Sequence, residues 1–433
     1  MLFYRVPDAL PRCVASTIPV MKVLIYAIDF APKIGGEETY LLVLGRGLVN
    51  YAPEHLQGVA PADEEVSSPK TTVLVVTRTA PNGFKDASLP FPIVRQPGLK
   101  TLWRLVGEAD VVHISGPVLL PLIFGLVRRR PVVIQHHMYH SICPNGLLLY
   151  APNGSLCPGH FMERRYHECL RCCAATAGWR TSFLMLFGTF LRRWLCRKVA
   201  ANVGITRYVS DQIALPRRKT ILYGIPDPLS ALRHNDQSPP SAICFAYVGR
   251  LVPEKGLGLL LDAASFLNKE GRNFRLKIIG DGPERGRLEV HCRKLSLQHR
   301  IEFTGSLRDE ALDSALADVS VIVMPSIWRE TAGLAAIEQM MRGRVVIAAD
   351  IGGLGEVVGD TALKFPMGDT EALAGCLRRI LNDPDLQREL GSRARARATK
   401  LFHEQRMIEE HQKIYNAVRR FRGGEPNVLP LSD

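Results

Sequence analysis

Glu330 and Glu338 are two carboxylates with seven residues between them, in the stretch VSVIVMPSIWRETAGLAAIEQMMRG at 319–343. Val319, Val321, Ile322 and Val323 make a β-branched run that reads as a buried parallel strand. Pro325 and Ser326 end it, a loop carries Trp328, Arg329 and Glu330, and Gly333 opens a helix that Gly343 closes. In open α/β sheets, ligands sit at the C-terminal edge, against helix N-termini whose free N–H groups suit phosphate. Glu330 therefore lies in the loop before the helix, and Glu338 about a turn into it. Two carboxylates so placed can hold two hydroxyl-rich parts of one ligand while the helix start holds its phosphates. The plainer reading is a solvated helix face.

Arg250 and Lys255 flank the turn after a strand at 244–248, within GRLVPEKG. Two fixed cations there would neutralise a diphosphate leaving group; ordinary surface charge is the alternative. The pair Gly35-Gly36 follows a first strand, Met21–Ala27, and either lets a ligand approach the backbone or makes a tight turn. Its spacing is not GxGxxG, which disfavours a dinucleotide oxidoreductase. His113 and His137 each end a strand-like run, where a histidine can donate to a sugar hydroxyl or phosphate, or be a satisfied structural residue. Cys143, Cys157, Cys169, Cys172 and Cys173 crowd one segment. Cys169 and Cys172 form CxxC, which Cys143 and Cys157 can complete into a tetrahedral structural zinc site. Buried free thiols, a redox pair and an iron–sulfur cluster compete with that reading.

The elements that must position these residues repeat. Strand-like runs at 73–77, 111–114, 132–135 and 202–206 alternate with helical patterns, the sequence of a doubly wound sheet. A second series starts at Ile243. A length of 433 residues suits two domains. We expect a first domain over 21–229 with a Cys-rich insert at 143–173, a second over 241–401, and a helix at 402–422 that returns to the first. Hydrophobic content of 46% and charged content of 22% are those of a soluble globular chain. A net charge of +13 asks for an anionic partner: nucleotide or membrane surface. Nucleic acid is disfavoured, since no zinc-finger, RRM or basic-zipper pattern is present. The first twenty residues have no continuous apolar h-region, and Met21 can serve as the start. The apolar stretch 114–127 is broken by Gly116, Pro117 and Pro121, so we expect a cytoplasmic chain with reduced cysteines. Arg192, Arg193, Arg197 and Lys198 stand beside Phe183, Leu184, Leu186, Phe187, Phe190 and Leu191. These make either an interfacial helix at the inner face of an anionic membrane or an apolar face toward the core.

The Glu330/Glu338 stretch resembles the E-x7-E signature of retaining GT-B glycosyltransferases, of the family 4 (glycosyl transferases group 1) type. VVIAADIGGLGEVVGD at 345–360 resembles that family's strand and Gly-Gly loop. VGRLVPEKGLGLLLDA at 248–263 and IIGDGPE at 278–284 resemble its phosphate-binding and base-pocket segments. VVIQHHMYHSIC resembles a variant with a histidine six residues before a cysteine; Met138 stands where that variant usually has Asp. The commoner Gly-Phe-Gly after the first Glu is Thr331-Ala332-Gly333 here. The resemblance implies two Rossmann-like parallel-sheet domains facing a cleft, a UDP- or GDP-sugar donor, and no catalytic metal. It implies that Glu338 binds ribose, that Glu330 and His137 serve the reacting sugar, and that Arg250, Lys255, Gly36 and the backbone at Gly333 and Leu334 meet the donor. It further implies a saccharide or lipid-linked saccharide acceptor that the departing diphosphate helps deprotonate. An epimerase of the same fold and a non-catalytic GT-B subunit are the competing functions.

Overall fold

The computed structural model of the chain describes residues 20–33, 35–51, 71–228 and 243–420. The stretch between the two expected domains, residues 52–70 and everything beyond 420, including the last two residues of the expected helix at 402–422, lie outside them. The first strands are β1 (Met21–Ala27), β2 (Thr71–Thr77), β3 (Ile93–Arg95), β4 (Val111–Ser115) and β5 (Val132–His136). A small antiparallel hairpin, β6 (Leu149–Tyr150) with β7 (Ser155–Leu156), follows, then β8 (Ala201–Gly204) and β9 (Arg218–Thr220). Apart from the hairpin these form one parallel sheet, ordered β3-β2-β1-β4-β5-β8-β9. β4 and β5 are buried at every position, as β-branched runs covered on both faces must be.

A second parallel sheet is built from β10 (Ile243–Val248), β11 (Phe274–Ile279), β12 (Ile301–Gly305), β13 (Val321–Met324), β14 (Val345–Ala349) and β15 (Leu363–Phe365). Its order is β12-β11-β10-β13-β14-β15. Strand order therefore reverses between β1 and β4 in one sheet and between β10 and β13 in the other. Crevices open beyond the C-terminal ends of strands at such reversals. Both Gly35-Gly36 and the Glu330 loop leave from those places.

Seven helices bear on the site: α1 (Gly36–Asn50), α2 (Tyr166–Ala177), α3 (Trp179–Cys196), α4 (Arg207–Ile213), α5 (Leu334–Met341), α6 (Gly352–Val358) and α7 (Glu404–Arg420). The C-terminal helix starts at Glu404 rather than 402, because Phe402 is buried and His403 bridges to Ile225. Helix α7 then lies against α1. Tyr40 Oη is 2.7 Å from His411 Nε2, Tyr415 Oη is 2.8 Å from His113 Nδ1, and Gln412 Nε2 donates to Thr71 Oγ1 at 3.0 Å. A Cβ on Gly47 of α1 would lie 2.0 Å from Ile408 Cδ1, so the two helices meet at glycine distance.

Candidate active site in the interdomain cleft

β13 ends at Met324, and Pro325 opens the loop that carries Glu330. Glu330 is 2% exposed. It is ion-paired to Lys255 Nζ and accepts from Ser326 Oγ at 2.6 Å. Burial pushes its carboxyl up, but the Lys255 ammonium and the Ser326 hydroxyl outweigh burial and hold it below the usual range. Glu330 is therefore an anion inside the protein.

Lys255 is brought there by tight backbone packing. It ends a short turn, Pro253–Lys255, after β10. Gly256 has φ 65°, and a Cβ there would lie 2.1 Å from the Pro325 carbonyl oxygen. Ile327 N donates to Glu254 O at 3.0 Å, so the turn is laid directly on the loop after β13. The GDG turn supports it from below: Leu251 N donates to Asp281 O at 2.9 Å, and a Cβ on Gly280 would lie 1.8 Å from Gly249 O. Those glycines thus have a packing reason. Arg250 is exposed on the same loop. Its carbonyl accepts from Tyr247 Oη at 2.8 Å, and the Tyr247 hydroxyl feels the charges of both Glu330 and Arg250.

At the start of α5, Gly333 has φ 86°, in the left-handed region where L side chains are strained. A Cβ there would lie 2.8 Å from Leu354 Cδ1 and 3.3 Å from Glu330 Oε2. No side chain caps this helix. The glycines after β14 clamp the same loop: Gly353 N donates to Glu330 O at 2.6 Å, and a Cβ on Gly353 would lie 2.0 Å from Thr331 O. Glu338, a turn further along α5, is partly buried, and burial lifts its carboxyl to about 7 against the weaker pull of Arg342.

The first domain closes over this loop. A Cβ on Gly36 would lie 3.7 Å from both Leu334 Cδ2 and Tyr223 Oη. Tyr223 Oη is 3.0 Å from His137 Nδ1, and Tyr40 sits edge-on to His137 with ring centroids 4.9 Å apart. Burial drives His137 down to about 3, so its imidazole is neutral, and its buried Nε2 has no protein partner among the described residues. Tyr139 Oη donates to Arg329 O at 3.0 Å and Thr206 Oγ1 donates to Thr331 O at 2.8 Å, across the cleft. Glu356 of α6 accepts from the amides of Arg207 and Tyr208 at 2.9 and 2.8 Å, capping α4 of the opposite domain.

Glu330, Lys255, Gly333, Leu334, Gly36 and His137 are thus brought together, with Glu338 and Arg250 on the elements that carry them. His113 is not there; it is buried below, bonded to Tyr415. Tyr223, Tyr40 and Ser326 went unread: Tyr223 follows a short edge strand outside any motif, and Ser326 reads only as a strand end. Glu37, beside Gly36, accepts from Ser115 Oγ at 2.5 Å, and burial raises its carboxyl.

The tetrahedral zinc site expected at Cys143, Cys157, Cys169 and Cys172 falls on four thiols that are all buried in one neighbourhood, where the other three act electrostatically on Cys169. Among the described residues no group of three or more His, Cys, Asp or Glu is placed to hold a metal ion. Cys143 Sγ donates to Asn145 Oδ1 at 2.9 Å, while Cys172 Sγ accepts from Asn145 Nδ2 and Ala151 N, both at 3.3 Å. Burial pushes the Cys143 thiol up to about 11 and the Cys169 thiol to about 12, so without a metal both stay protonated.

Two parallel-sheet domains meeting at their strand C-termini define the GT-B class. Solved structures agree: HepE from Anabaena, in complex with UDP and glucose, superposes with a TM-score of 0.66 at 17% identity, over 92% of this chain and 100% of that one. Residues 231–397 match the model of the glycosyl transferases group 1 family. A 2-deoxystreptamine glucosyltransferase of Streptomyces kanamyceticus is 28% identical over 45% of this chain, which spans 55% of that relative's length. A phosphatidyl-myo-inositol mannosyltransferase of Mycobacterium leprae is 24% identical over 89% of this chain and 93% of its own.

Proposed function

We propose that the chain is a retaining glycosyltransferase that moves a sugar from a UDP- or GDP-sugar to a saccharide or lipid-linked saccharide acceptor. The observation that carries this reading is the buried Lys255–Glu330 pair, set beside an uncapped helix start and facing Gly36 and His137 across the cleft. Lys255, with Arg250 at the cleft rim, supplies positive charge where a departing diphosphate becomes most negative. The Leu334 end of α5 offers backbone N–H groups to the same phosphates. Glu330, ionised and fixed by two partners, orients the donor sugar, and Glu338 takes the ribose hydroxyls. Neutral His137 presents Nε2 to a sugar hydroxyl without bringing a charge of its own. No side chain here is a strong base, which suits a same-face reaction in which the leaving diphosphate takes the acceptor proton. The named action of the mycobacterial relative on phosphatidyl-myo-inositol supports including lipid-linked acceptors.

The test is a thermal-shift panel of UDP, GDP, ADP and their sugars, followed by proton NMR of the product's anomeric centre. One nucleoside diphosphate should stabilise the protein, and Glu330→Ala should cut turnover more than nucleotide affinity. Absence of any nucleotide shift, full turnover in folded Glu330→Ala protein, or an inverted anomeric centre each defeats the reading.

A further inference from the structure

Helix α3 has two faces. Its buried side, Ser182, Leu186, Thr189 and Cys196, packs inward. The other side is apolar and uncovered: Trp179, Phe183, Leu184, Phe187, Phe190 and Trp194, with Leu184 71% and Phe187 67% exposed. At about 100° per residue, five of these six fall within an arc of about 80°, a single stripe along the whole helix. One end of the stripe is anchored, because Phe190 packs on Phe161 and Tyr166 with centroids 4.9 Å from each. Isolated exposed apolar residues need no explanation, but a contiguous aromatic stripe marks a contact surface.

Charge says what kind. From Cys169 to Lys198 the chain carries six Arg and Lys and no Asp or Glu. Arg180, Arg197 and Lys198 are exposed, and among the described residues none of them is in an ion pair. Lys198 Nζ lies 3.7 Å from the Trp194 ring centroid, so a cation and an indole share one end of the stripe. A second copy of this chain seated on the stripe by two-fold symmetry would set the same cations against each other. An anionic lipid surface offers the opposite charge, and an indole at each end of the helix suits the headgroup boundary. No described helix is long and apolar enough to cross a membrane, so α3 would lie in the interface plane.

We infer that α3 is the docking helix by which this protein sits on an anionic bilayer. The stripe belongs to the acceptor side of the cleft: Arg192 of α3 acts electrostatically on His140, three residues beyond His137. A docked α3 therefore holds the domain that carries His137 at the lipid surface, which deepens the lipid-linked acceptor reading above. The binding itself does not depend on that reading.

The experiment uses the full chain with vesicles of phosphatidylcholine alone or with added phosphatidylglycerol, read by cosedimentation and by tryptophan emission. Wild-type protein should bind only the anionic vesicles, with a blue shift from Trp179 and Trp194, and binding should fall as salt rises. Phe183→Ser with Phe187→Ser should abolish binding while the nucleotide thermal shift is kept. Arg180→Glu with Lys198→Glu, which leaves the apolar stripe whole, should weaken binding about fivefold or more per charge. No binding at low salt, equal binding to both vesicles, or a dimer in light scattering that Phe187→Ser dissolves would overturn the inference. None of these outcomes touches the sugar-transfer reading, which nucleotide shift and product analysis test separately.

Discussion

Lys255 and Glu330, separated by 75 residues, meet as a buried ion pair between the turn after β10 and the loop after β13. A carboxylate 3% exposed cannot be left alone without the full desolvation penalty. Lys255→Met is therefore expected to destabilise the protein by about 3–5 kcal/mol. Adding Glu330→Gln removes the orphaned charge and should recover a large part of that loss. Urea unfolding of the two single variants and the double variant measures the coupling. Additive losses would mean that the pair is not the unit described.

Glu338 is held at about 7 in the fold, well above an unfolded glutamate. The folded state therefore keeps its proton longer than the unfolded chain, and stability falls as pH rises from about 4.5 to about 7. Glu338→Gln removes a buried charge that costs the wild type only at the upper end. The variant should gain stability over wild type by up to about 3 kcal/mol above pH 7, and nothing near pH 4. In the same variant nucleotide affinity should fall, since a carboxylate that accepts from ribose hydroxyls is lost. Melting curves at pH 4.5 and 8, with and without nucleotide, separate the two effects.

Much of this site was legible before any coordinates, because its parts are chemical words of fixed spacing. Two carboxylates with seven residues between them, a Gly-Gly after β14 and a Lys after a strand-turn are all local. What stayed hidden is what distant segments do together. Nothing near Tyr223 says that it will hydrogen-bond His137, and nothing near Glu356 says that it will cap α4. The edge strands β3 and β9 are three residues each, too short to show a period. The cysteines are a different case. CxxC spacing suggested a metal; the fold buries these thiols near one another, with Cys172 bonded to Asn145 and backbone, in no arrangement among the described residues that could hold one.

His136, His137 and His411 are pushed down to about 4, about 3 and about 4 by burial, and His113 is lowered too. Each is neutral when folded, yet takes a proton in the unfolded chain below about 6.5. Their contribution to stability is whole above that pH and is lost as pH falls toward about 4. The melting temperature should drop steeply between pH 6.5 and 4. His411→Gln should flatten the drop by about 1.4 kcal/mol per pH unit at its steepest. A pH dependence identical to wild type would place the acid sensitivity elsewhere.

Gly353 is where the Gly-Gly turn touches the active loop. Gly353→Ala would force a methyl against the Thr331 carbonyl, 2.0 Å from the new carbon. Moving that backbone should cost about 1–3 kcal/mol of stability and displace Glu330, so turnover should fall even in protein that is still folded. Gly375→Ala, on a helix where a Cβ meets nothing within 4 Å, is the control and should change neither.

The chain passes between the two domains twice, and the passages run side by side. Ile225, on the outgoing segment, accepts from Glu404 N at 3.1 Å and donates to Phe402 O at 2.9 Å on the returning one. Gly224 beside it leaves no room: a Cβ there would lie 2.8 Å from Glu404 Cα. Arg406 Nη2 donates to Leu222 O at 2.9 Å and Arg395 pairs with Asp227, so the two passages are held along several residues and form one short hinge. Any opening of the cleft would then be a swing about this paired segment, with the least movement there and more with distance from it. α7 would stay with the first domain throughout, as the leaf of the hinge screwed to the frame.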